Sequence, residues 1–502
     1  MDGVWPVAEV RAAEEALLAT LPEGALMRRA AYGLAVHCAR LCARGVGTRR
    51  VYGARVVLLV GAGNNGGDAL YAGATLARWG AHVIAVLLDP DRAHAGGVAE
   101  LRAARGWVVP AGGRSADEAV AALSRADLVV DGIVGIGGRG GLRPAAASLA
   151  EVARESGAVR VAVDVPSGVD SDTGAVAGAA FEADVTVTFG CYKPGLVVGP
   201  GAVTSGRVVL VDIGLAPYLP WPDLAILTVG DLPGLVPVPG PADDKYTRGV
   251  VGVAAGSAGY TGAGLLTVGA AVHGPAGMVR YVGAAADLVR SRHPEVVVAD
   301  GLPSRAGRVQ AWVVGPGLGT DAAAREILDD VLASDVPVVV DADGITLLAA
   351  TPDALAQRAA PSLITPHDRE LARIAGFEPG EDRLGVVRRA ARRLGCAVLL
   401  KGDATLVARP DGTAYVDRCG TPWLATAGSG DVLAGMIGAL LAAWGGRGGG
   451  AGPDVALAAA AGTYVHGVAG ELAAEHGVPT AADVLAAVPA AYRRAVSSPA
   501  PR

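Results

Sequence analysis

The chain has 502 residues, of which 51% are hydrophobic and 18% charged, so it can fill sizeable cores and is not expected to be disordered. The formal net charge of −6 argues against a nucleic-acid partner, since such proteins usually present a basic face. Five scattered cysteines without a CxxC pair predict neither a structural zinc site nor a disulfide framework, and they favour a reducing compartment.

The beginning of the chain does not have the pattern of a secretory leader, which is a basic stretch followed by an apolar one. The uncharged stretches 432–446 and 455–470 are shorter than 18 residues and contain glycine or polar groups. We therefore expect a cytoplasmic protein without a membrane-spanning helix.

A helical pattern covers residues 8–44, with an interruption near Pro22. Short apolar runs then alternate with helical patterns, and the runs that predict strands with their following loops are 55–63, 81–88, 127–132, 159–168, 184–190 and 207–214. This alternation predicts an α/β domain with a mostly parallel sheet covered by helices on both faces.

Seven prolines fall within residues 215–241, and proline disfavours both helices and central strands. We therefore predict a linker over residues 218–240, between a first domain at 1–217 and a second at 241–502. Strand patterns resume in the second domain at 249–256, 277–283, 311–319, 336–344, 362–368 and 396–403. The glycine-rich segment 445–453 predicts a loop between two helices.

In the first domain, the segment GAGNNGGDA at 61–69 directly follows a strand and opens a helix. Glycines allow a phosphate to approach the backbone closely, and a helix N-terminus offers unpaired N–H groups to an anion. The alternative to a ligand site is a tight strand-to-helix turn, which would explain the glycines but not the polar residues. The polar residues Asn64, Asn65 and Asp68 favour a ligand site, because packing alone would select small apolar side chains there.

Two further polar loops follow predicted strands. The loop 131–141 contains Asp131, six glycines and Arg139, and the loop 163–174 contains Asp164 and Ser167. Ligand sites of parallel α/β sheets lie beyond the carboxyl ends of the strands, where these loops can meet. Their amide, carboxylate and hydroxyl oxygens suit an alkali or alkaline-earth cation better than zinc.

Residues 8–215 resemble the NAD(P)H-hydrate epimerase domain in the pieces AEVRAAEEAL, ALMRRAA, GAGNNGGD, the Asp131 loop and DVPSGVDSDTG. The resemblance implies a Rossmann-like parallel-sheet fold and a potassium ion held by Asn65, Asp131 and Ser167. It places the hydrated dinucleotide at Asn64, Asn65, Gly66, Gly67, Asp68, Gly135, Ile136, Gly137, Gly138, Arg139, Gly140, Gly141 and Asp164. Asp164 is also the candidate for proton transfer at the hydrated ring, with a turn or helix cap as the alternative role. The family's usual Asp-Gly pair is Asp68-Ala69 here.

In the second domain, TAGSGDVLAGMIGALLA at 426–442 places Gly428, Ser429 and Gly430 before an apolar helix. Three consecutive N–H groups in one space would form an anion hole for a transferring phosphoryl group. Asp431 lies at its lip and can take a proton from a substrate hydroxyl. Simple capping of a helix by Ser429 or Asp431 is the alternative.

Lys401 and Thr405 lie just beyond a buried strand, where the lysine can neutralise a nucleotide phosphate. Taken alone, the segment that contains Lys401 and Thr405 fits a surface hairpin better than a nucleotide site. His367 follows another strand, and a lone histidine is more often structural than catalytic. The turns GPGLG at 315–319 and GSAGYTGAG at 256–264 add glycine-rich loops at the ends of strands.

Residues 240–495 resemble the ribokinase-like NAD(P)H-hydrate dehydratase in Lys245, GYTGA, GPGLG, DADG, TPH, KGDAT and GSGD. The resemblance implies that Ala263, Gly317, His367 and Asp431 contact the hydrate. It places ADP, with Mg²⁺, at Lys401, Gly402, Asp403, Ala404, Thr405 and Gly430. The family's His-Pro-Gly-Glu is His367-Asp368-Arg369-Glu370 here, which predicts a different loop shape after the histidine.

The two resemblances together predict a homo-oligomeric enzyme that acts on hydrated NADH and NADPH (NADHX and NADPHX). It would epimerise their R and S forms and dehydrate the S form with ADP, giving AMP and phosphate. One alternative is a ribokinase-like kinase of vitamin precursors, against which the NNGGD motif argues. The other is a non-catalytic scaffold, against which the intact Asn65, Asp131, Asp164 and Ser167 argue.

Overall fold

The computed structural model describes residues 1–42, 51–447 and 454–497. They form two compact units, one of Gly3–Pro222 and one of Met1–Asp2 with Asp223–Arg502. The predicted helix end at residue 44 and most of the predicted loop at 445–453 lie outside the described residues.

The chain opens with a short strand, β1 (Asp2–Val4). The strands of the first unit are β2 (Arg55–Val60), β3 (His82–Leu87), β4 (Trp107–Pro110), β5 (Leu128–Gly132), β6 (Val159–Val163), β7 (Val185–Phe189) and β8 (Arg207–Val211). Its helices are α1 (Val7–Leu18), α2 (Ala25–Cys42), α3 (Asn64–Arg78), α4 (Ala95–Ala103), α5 (Ala116–Leu123), α6 (Pro144–Glu155) and α7 (Gly199–Thr204).

The sheet of the first unit is parallel, in the order β4-β3-β2-β5-β6-β7-β8. Val56, Leu58 and Val60 of β2 belong to one hydrophobic cluster, whereas Val57 and Leu59 belong to another. Successive side chains of a strand point to opposite faces, so both faces of the sheet are buried, as the apolar strands predict. The strand order reverses between β2 and β5, and the crevice at their carboxyl ends is the usual ligand position in such sheets.

The strands of the second unit are β9 (Leu224–Ile226), β10 (Val250–Ala254), β11 (Met278–Val282), β12 (Val297–Val298), β13 (Ala311–Val314), β14 (Val338–Val340), β15 (Ser362–Ile364), β16 (Ala397–Leu400), β17 (Thr405–Ala408) and β18 (Ala414–Asp417). Its helices are α8 (Leu232–Leu235), α9 (Thr261–Val272), α10 (Ala286–Arg292), α11 (Ala322–Leu332), α12 (Asp343–Leu348), α13 (Asp368–Ala375), α14 (Arg383–Leu394), α15 (Ser429–Gly446), α16 (Val455–Ala474) and α17 (Ala481–Ser497).

The strands of this unit lie in the order β9-β18-β17-β16-β15-β14-β13-β10-β11-β12. Pairing is parallel from β12 to β16, and antiparallel between β16 and β17 and between β17 and β18. The predicted α/β class, with parallel sheets, is confirmed in both units.

Part of the range predicted as a linker is ordered structure of the second unit. Strand β9 pairs in parallel with β18, and Leu232 of α8 is fully buried. The prolines do not prevent this, because Pro222 precedes the strand and Pro233 occupies the first turn of the short helix.

Helix α15 is the central core helix of the second unit. It is long and apolar enough to span a membrane, with a mean hydropathy of 1.2, but 72% of it is buried inside the protein. A Cβ atom on Gly435 would lie 2.2 Å from the carbonyl oxygen of Thr267 in α9, so glycine permits close packing of the two helices. This packing fixes the position of the N-terminus of α15.

Candidate functional site

The first unit gathers polar side chains at the carboxyl ends of β5 and β6. Asp131, at the end of β5, is fully buried, and its carboxylate accepts hydrogen bonds from the Ser167 amide at 2.8 Å and from the Ser167 hydroxyl at 2.7 Å. Burial raises the pKa of Asp131 to about 6, although the hydrogen bonds from Ser167 partly oppose this.

Asn65 lies beside this group of oxygen atoms. A Cβ atom on Gly135 would lie 2.8 Å from its Oδ1, and Gly135 follows Val134, whose amide donates to the Ser167 hydroxyl. Among the described residues no ion pair involves Asp131, and Asn65 Nδ2 is buried without a hydrogen-bond partner. The three predicted potassium ligands are thus brought together, and a buried carboxylate without a cationic partner fits a bound monovalent cation.

Asp164, at the end of β6, has a strained backbone with φ of 65°, which is unusual for a residue other than glycine. Its Oδ1 accepts hydrogen bonds from the Thr188 hydroxyl at 2.9 Å, the Phe189 amide at 3.2 Å and the Lys193 ammonium at 2.5 Å. All of these bonds fall on Oδ1, and no bond from the described residues occupies Oδ2. Asp164 is therefore held in one orientation through Oδ1.

The carboxyl groups of Asp68 and Glu14 and the buried Lys193 surround Asp164. No role for Lys193 or for Glu14 was predicted from the sequence. Burial raises the pKa of Asp68 well above its usual value, with the charges of Asp164 and Glu14 adding to the effect. Burial also raises the pKa of Glu14, again with a contribution from Asp164. The only sequence signal for Lys193 was a lysine within an otherwise apolar and glycine-rich stretch.

The glycines predicted at the dinucleotide divide into two groups. Gly66 and Gly67 lie inside α3 and are buried, and a Cβ atom on Gly66 would lie 2.4 Å from the Gly61 carbonyl oxygen. Gly66 therefore permits close packing of the helix against the end of β2, whereas a Cβ atom on Gly67 would lie 3.1 Å from the His94 ring. In the loop 135–141, Gly137, Arg139, Gly140 and Gly141 are exposed and Ile136 and Gly138 are partly exposed, so this loop is open to a ligand.

In the second unit, Lys401 connects three of the predicted loops. Its ammonium group donates to Asp341 at 2.7 Å, and its amide donates to the Pro366 carbonyl at 2.9 Å. A Cβ atom on Gly430 would lie 3.1 Å from Lys401 Nζ. The lysine predicted to bind a nucleotide is therefore beside the first turn of α15, and it is anchored there by Asp341 of the DADG motif.

Asp341 is itself almost fully buried and accepts a second hydrogen bond, from the Thr365 hydroxyl at 2.8 Å. Sequence reasoning used the DADG motif for the resemblance but assigned no site role to this residue. The motif's second carboxylate, Asp343, accepts from the Gly319 amide at 2.9 Å and so joins the GPGLG loop to the same cluster.

Asp431 lies in the first turn of α15, as predicted. Burial raises its pKa to about 6, the negative Asp341 adds to the rise, and Lys401 opposes it. A carboxyl group with this pKa can accept a proton near neutral pH.

The predicted anion hole of three free amides needs a correction. The Ser429 amide donates to the Thr426 carbonyl at 3.3 Å, because the chain turns tightly at Gly428, where φ is 88°. Of the three predicted amides, that of Gly430 lies in the first turn of the helix, together with the Asp431 amide, which was not predicted. First-turn amides lack partners within the helix.

The residues predicted at the hydrate are partly brought together. A Cβ atom on Gly317 would lie 2.7 Å from the Cβ of Ala263, so these two residues are neighbours. His367 instead caps α13: it and Glu370 form a capping box, in which the Glu370 carboxylate accepts from the His367 amide at 2.9 Å. The altered residues after His367 thus form the first turn of a helix, and the imidazole stays half-exposed.

The segment 401–405 is the turn between β16 and β17, so the hairpin alternative is correct for its local structure. Gly402 and Asp403 are exposed and Thr405 is partly exposed, whereas the side chain of Ala404 is buried. Any nucleotide contact of Ala404 would therefore be made by its backbone.

Comparisons with known protein families divide the chain into the same two parts as the fold does. The family described as YjeF-related protein N-terminus matches residues 23–195, and the family described as NAD(P)H-hydrate dehydratase matches residues 251–489. The chain is 25% identical to the solved ADP/ATP-dependent NAD(P)H-hydrate dehydratase from Bacillus subtilis, with 54% of this chain and 98% of that chain covered and a TM-score of 0.47.

Mycobacterial relatives match most of the chain. The bifunctional NAD(P)H-hydrate repair enzyme Nnr of Mycobacterium tuberculosis is 52% identical over 88% of this chain and 89% of its own length. The enzyme of the same name from Mycobacterium leprae is 50% identical over 96% of this chain and 97% of its own length. At this identity and coverage, the chain belongs to the family of bifunctional NAD(P)H-hydrate repair enzymes.

Proposed function

We propose that the chain repairs hydrated NADH and NADPH. The first unit interconverts the R and S hydrates, and the second unit dehydrates the S hydrate with ADP, giving AMP and phosphate. The observation that carries this proposal is the cluster at the start of α15, where Asp431 lies beside Lys401 and the Gly430 amide. Family membership supplies the substrates, because the relatives are NAD(P)H-hydrate repair enzymes.

The chemistry of the second unit follows from its leaving group. Hydroxide leaves poorly, whereas phosphate leaves well. Asp431 takes the proton of the ring hydroxyl, and the oxygen then attacks the terminal phosphoryl group of ADP. The Gly430 and Asp431 amides and the Lys401 ammonium stabilise the negative charge on the transferring group. The ring nitrogen then expels phosphate, and loss of a proton from the adjacent carbon restores the dihydropyridine.

Mg²⁺ enters this reaction with ADP, as part of the nucleotide substrate, and neutralises phosphate charge. The B. subtilis structure named above was co-crystallized with ATP and Mg²⁺. We propose ADP as the donor for this chain, and parallel assays with ADP and ATP test that choice.

For the first unit we propose Asp164 as the group that exchanges a proton with the hydrated ring. The ion pair with Lys193 fixes Oδ1, so Oδ2 can face the substrate. We propose that Asn65, Asp131 and Ser167 hold a potassium ion. Such an ion would balance the charge of Asp131 and fix the neighbouring loop 135–141 for the dinucleotide.

The decisive test mixes the protein with both epimers of hydrated NADH, Mg²⁺ and either ADP or ATP. We expect the absorbance of reduced nicotinamide to return completely. The Asp164→Asn variant should convert the S hydrate at the normal rate and leave the R hydrate to slow spontaneous exchange. Absence of any recovery with either nucleotide, or a stable phosphorylated product, would refute the proposal.

Potassium is tested separately by measuring epimerisation in KCl and in choline chloride at equal ionic strength. We expect faster exchange in KCl for the wild type and no such dependence for Asp131→Asn. Dehydration of the pure S hydrate is the control, since it should not change in Asp131→Asn. Equal epimerisation rates of the wild type in both salts would contradict the proposed ion.

We further propose a cytoplasmic location, since all five cysteines are free thiols. A homo-oligomeric state is also proposed, and sedimentation velocity of the full chain tests it.

A further inference from the structure

A histidine that plays no part in the steps above lies directly behind the anion hole. His466, in the middle of α16, places its Nε2 3.2 Å from the hydroxyl of Ser429, the first residue of α15. Only 6% of His466 and 4% of Ser429 are exposed, so this contact lies in the core.

The surroundings keep this imidazole neutral. Helix α16 is largely buried and rich in alanine and glycine. Burial lowers the pKa of His466 to about 4; the contact with Ser429 opposes this, and the positive charge of Lys401 adds to the lowering. Near neutral pH, His466 is therefore an uncharged hydrogen-bond partner, and it brings no charge behind the anion hole.

The orientation of Ser429 makes this contact informative. A serine at the start of a helix commonly turns its hydroxyl to the free amides of the first turn. Here Gly428 occupies the N-cap position, and the Ser429 hydroxyl points into the core. A buried hydroxyl without a partner is unfavourable, so His466 favours this inward orientation.

We propose that His466 is a positioning residue for dehydration. By binding the Ser429 hydroxyl in the core, it fixes the first turn of α15. The Gly430 and Asp431 amides and the Asp431 carboxylate are thereby aligned with the transferring phosphoryl group. This role rests on the dehydration proposed above for the second unit.

The test compares His466→Ala, His466→Gln and Ser429→Ala in the full chain. Misalignment by about 1 Å can cost about 100-fold in rate, so we expect kcat for dehydration to fall about 10- to 100-fold in His466→Ala. His466→Gln should recover part of this loss, because its amide can reach the same hydroxyl. The exposed His476 provides a matched control, and His476→Ala should behave as the wild type.

A double-mutant cycle separates positioning from general destabilisation. If His466 acts through Ser429, adding His466→Ala to Ser429→Ala should cause no further loss of kcat. Epimerisation by the same preparations should stay constant, which also shows that the variants are folded. Multiplicative losses, or a normal kcat in both His466→Ala and Ser429→Ala, would overturn the proposed role. Failure of the proposed function looks different, because the wild type itself would then show no nucleotide-dependent recovery.

Discussion

At the scale of single residues, each of the two central carboxylates has a lysine nearby, but the two lysines are bound differently. Lys193 donates directly to Asp164 at 2.5 Å, whereas Lys401 donates to Asp341 at 2.7 Å and acts on Asp431 only across space. Asp431 therefore remains a raised-pKa acid that can change its protonation state near neutral pH, while Asp164 is fixed within an ion pair.

The first prediction concerns pH. A base must be deprotonated to act, and the pKa of Asp431 is raised to about 6. The kcat/KM of dehydration should therefore be constant above this pH and fall about tenfold per unit below it.

Asp431→Asn should lose about 100-fold or more of dehydration and keep normal epimerisation. Stopped assays on the pure S hydrate measure the first effect, and equal losses in both reactions would contradict separate sites.

The second prediction concerns Lys193, which is 1% exposed in its ion pair with Asp164. Lys193→Met leaves Asp164 without its cation and close to the carboxyl groups of Asp68 and Glu14. Breaking a buried pair from one side typically costs about 3–5 kcal/mol, so the free energy of unfolding of the first unit should fall by about that amount. Epimerisation should fall about 100-fold, measured as exchange between R and S hydrates, with dehydration as the internal control. Normal epimerisation would show that the pair is structural only.

At the scale of elements, the central strands could be predicted because burial on both faces makes each one a continuous apolar run. The strands β4, β12, β17 and β18 lie outside the predicted runs. The runs at 55–63 and 81–88, for example, contain β2 and β3. The elements β9 and α8 were not predicted, because their prolines indicated a linker. The prolines lie at element boundaries, where proline is tolerated. The partners of site residues were not predictable either. Asp341 and Lys401 are 60 positions apart, and no local pattern encodes a contact between two loops.

The third prediction tests how glycine in α15 permits helix packing. Gly435→Ala would place a Cβ atom 2.2 Å from the Thr267 carbonyl oxygen, so α15 and α9 must separate. We expect destabilisation of the second unit by about 1–3 kcal/mol. Gly234, in α8, is the matched control: open space surrounds its missing Cβ, so Gly234→Ala should be neutral or stabilise by up to about 1 kcal/mol. Chemical denaturation measures both, and equal effects would refute the packing argument.

At the scale of the whole molecule, each of the two units has its own sheet and its own hydrophobic clusters. The proposed nucleotide site uses residues between 401 and 430, within the second unit, and the proposed potassium site uses residues between 65 and 167, within the first. Ligands of one reaction should therefore stabilise one unit at a time, which calorimetry on the full chain can detect.

Scanning calorimetry should show two unfolding transitions. ADP with Mg²⁺ should raise the Tm of only one of them. At 100 times its Kd a ligand stabilises the folded state by about 2.7 kcal/mol, which corresponds to roughly 5–10 °C for a unit of this size. Gly435→Ala identifies the transition, because it should lower the Tm of the one that ADP raises, whereas Lys193→Met should lower the other. If ADP raised the transition that Lys193→Met lowers, the nucleotide would bind the first unit, and the assignment of the two reactions would have to be exchanged.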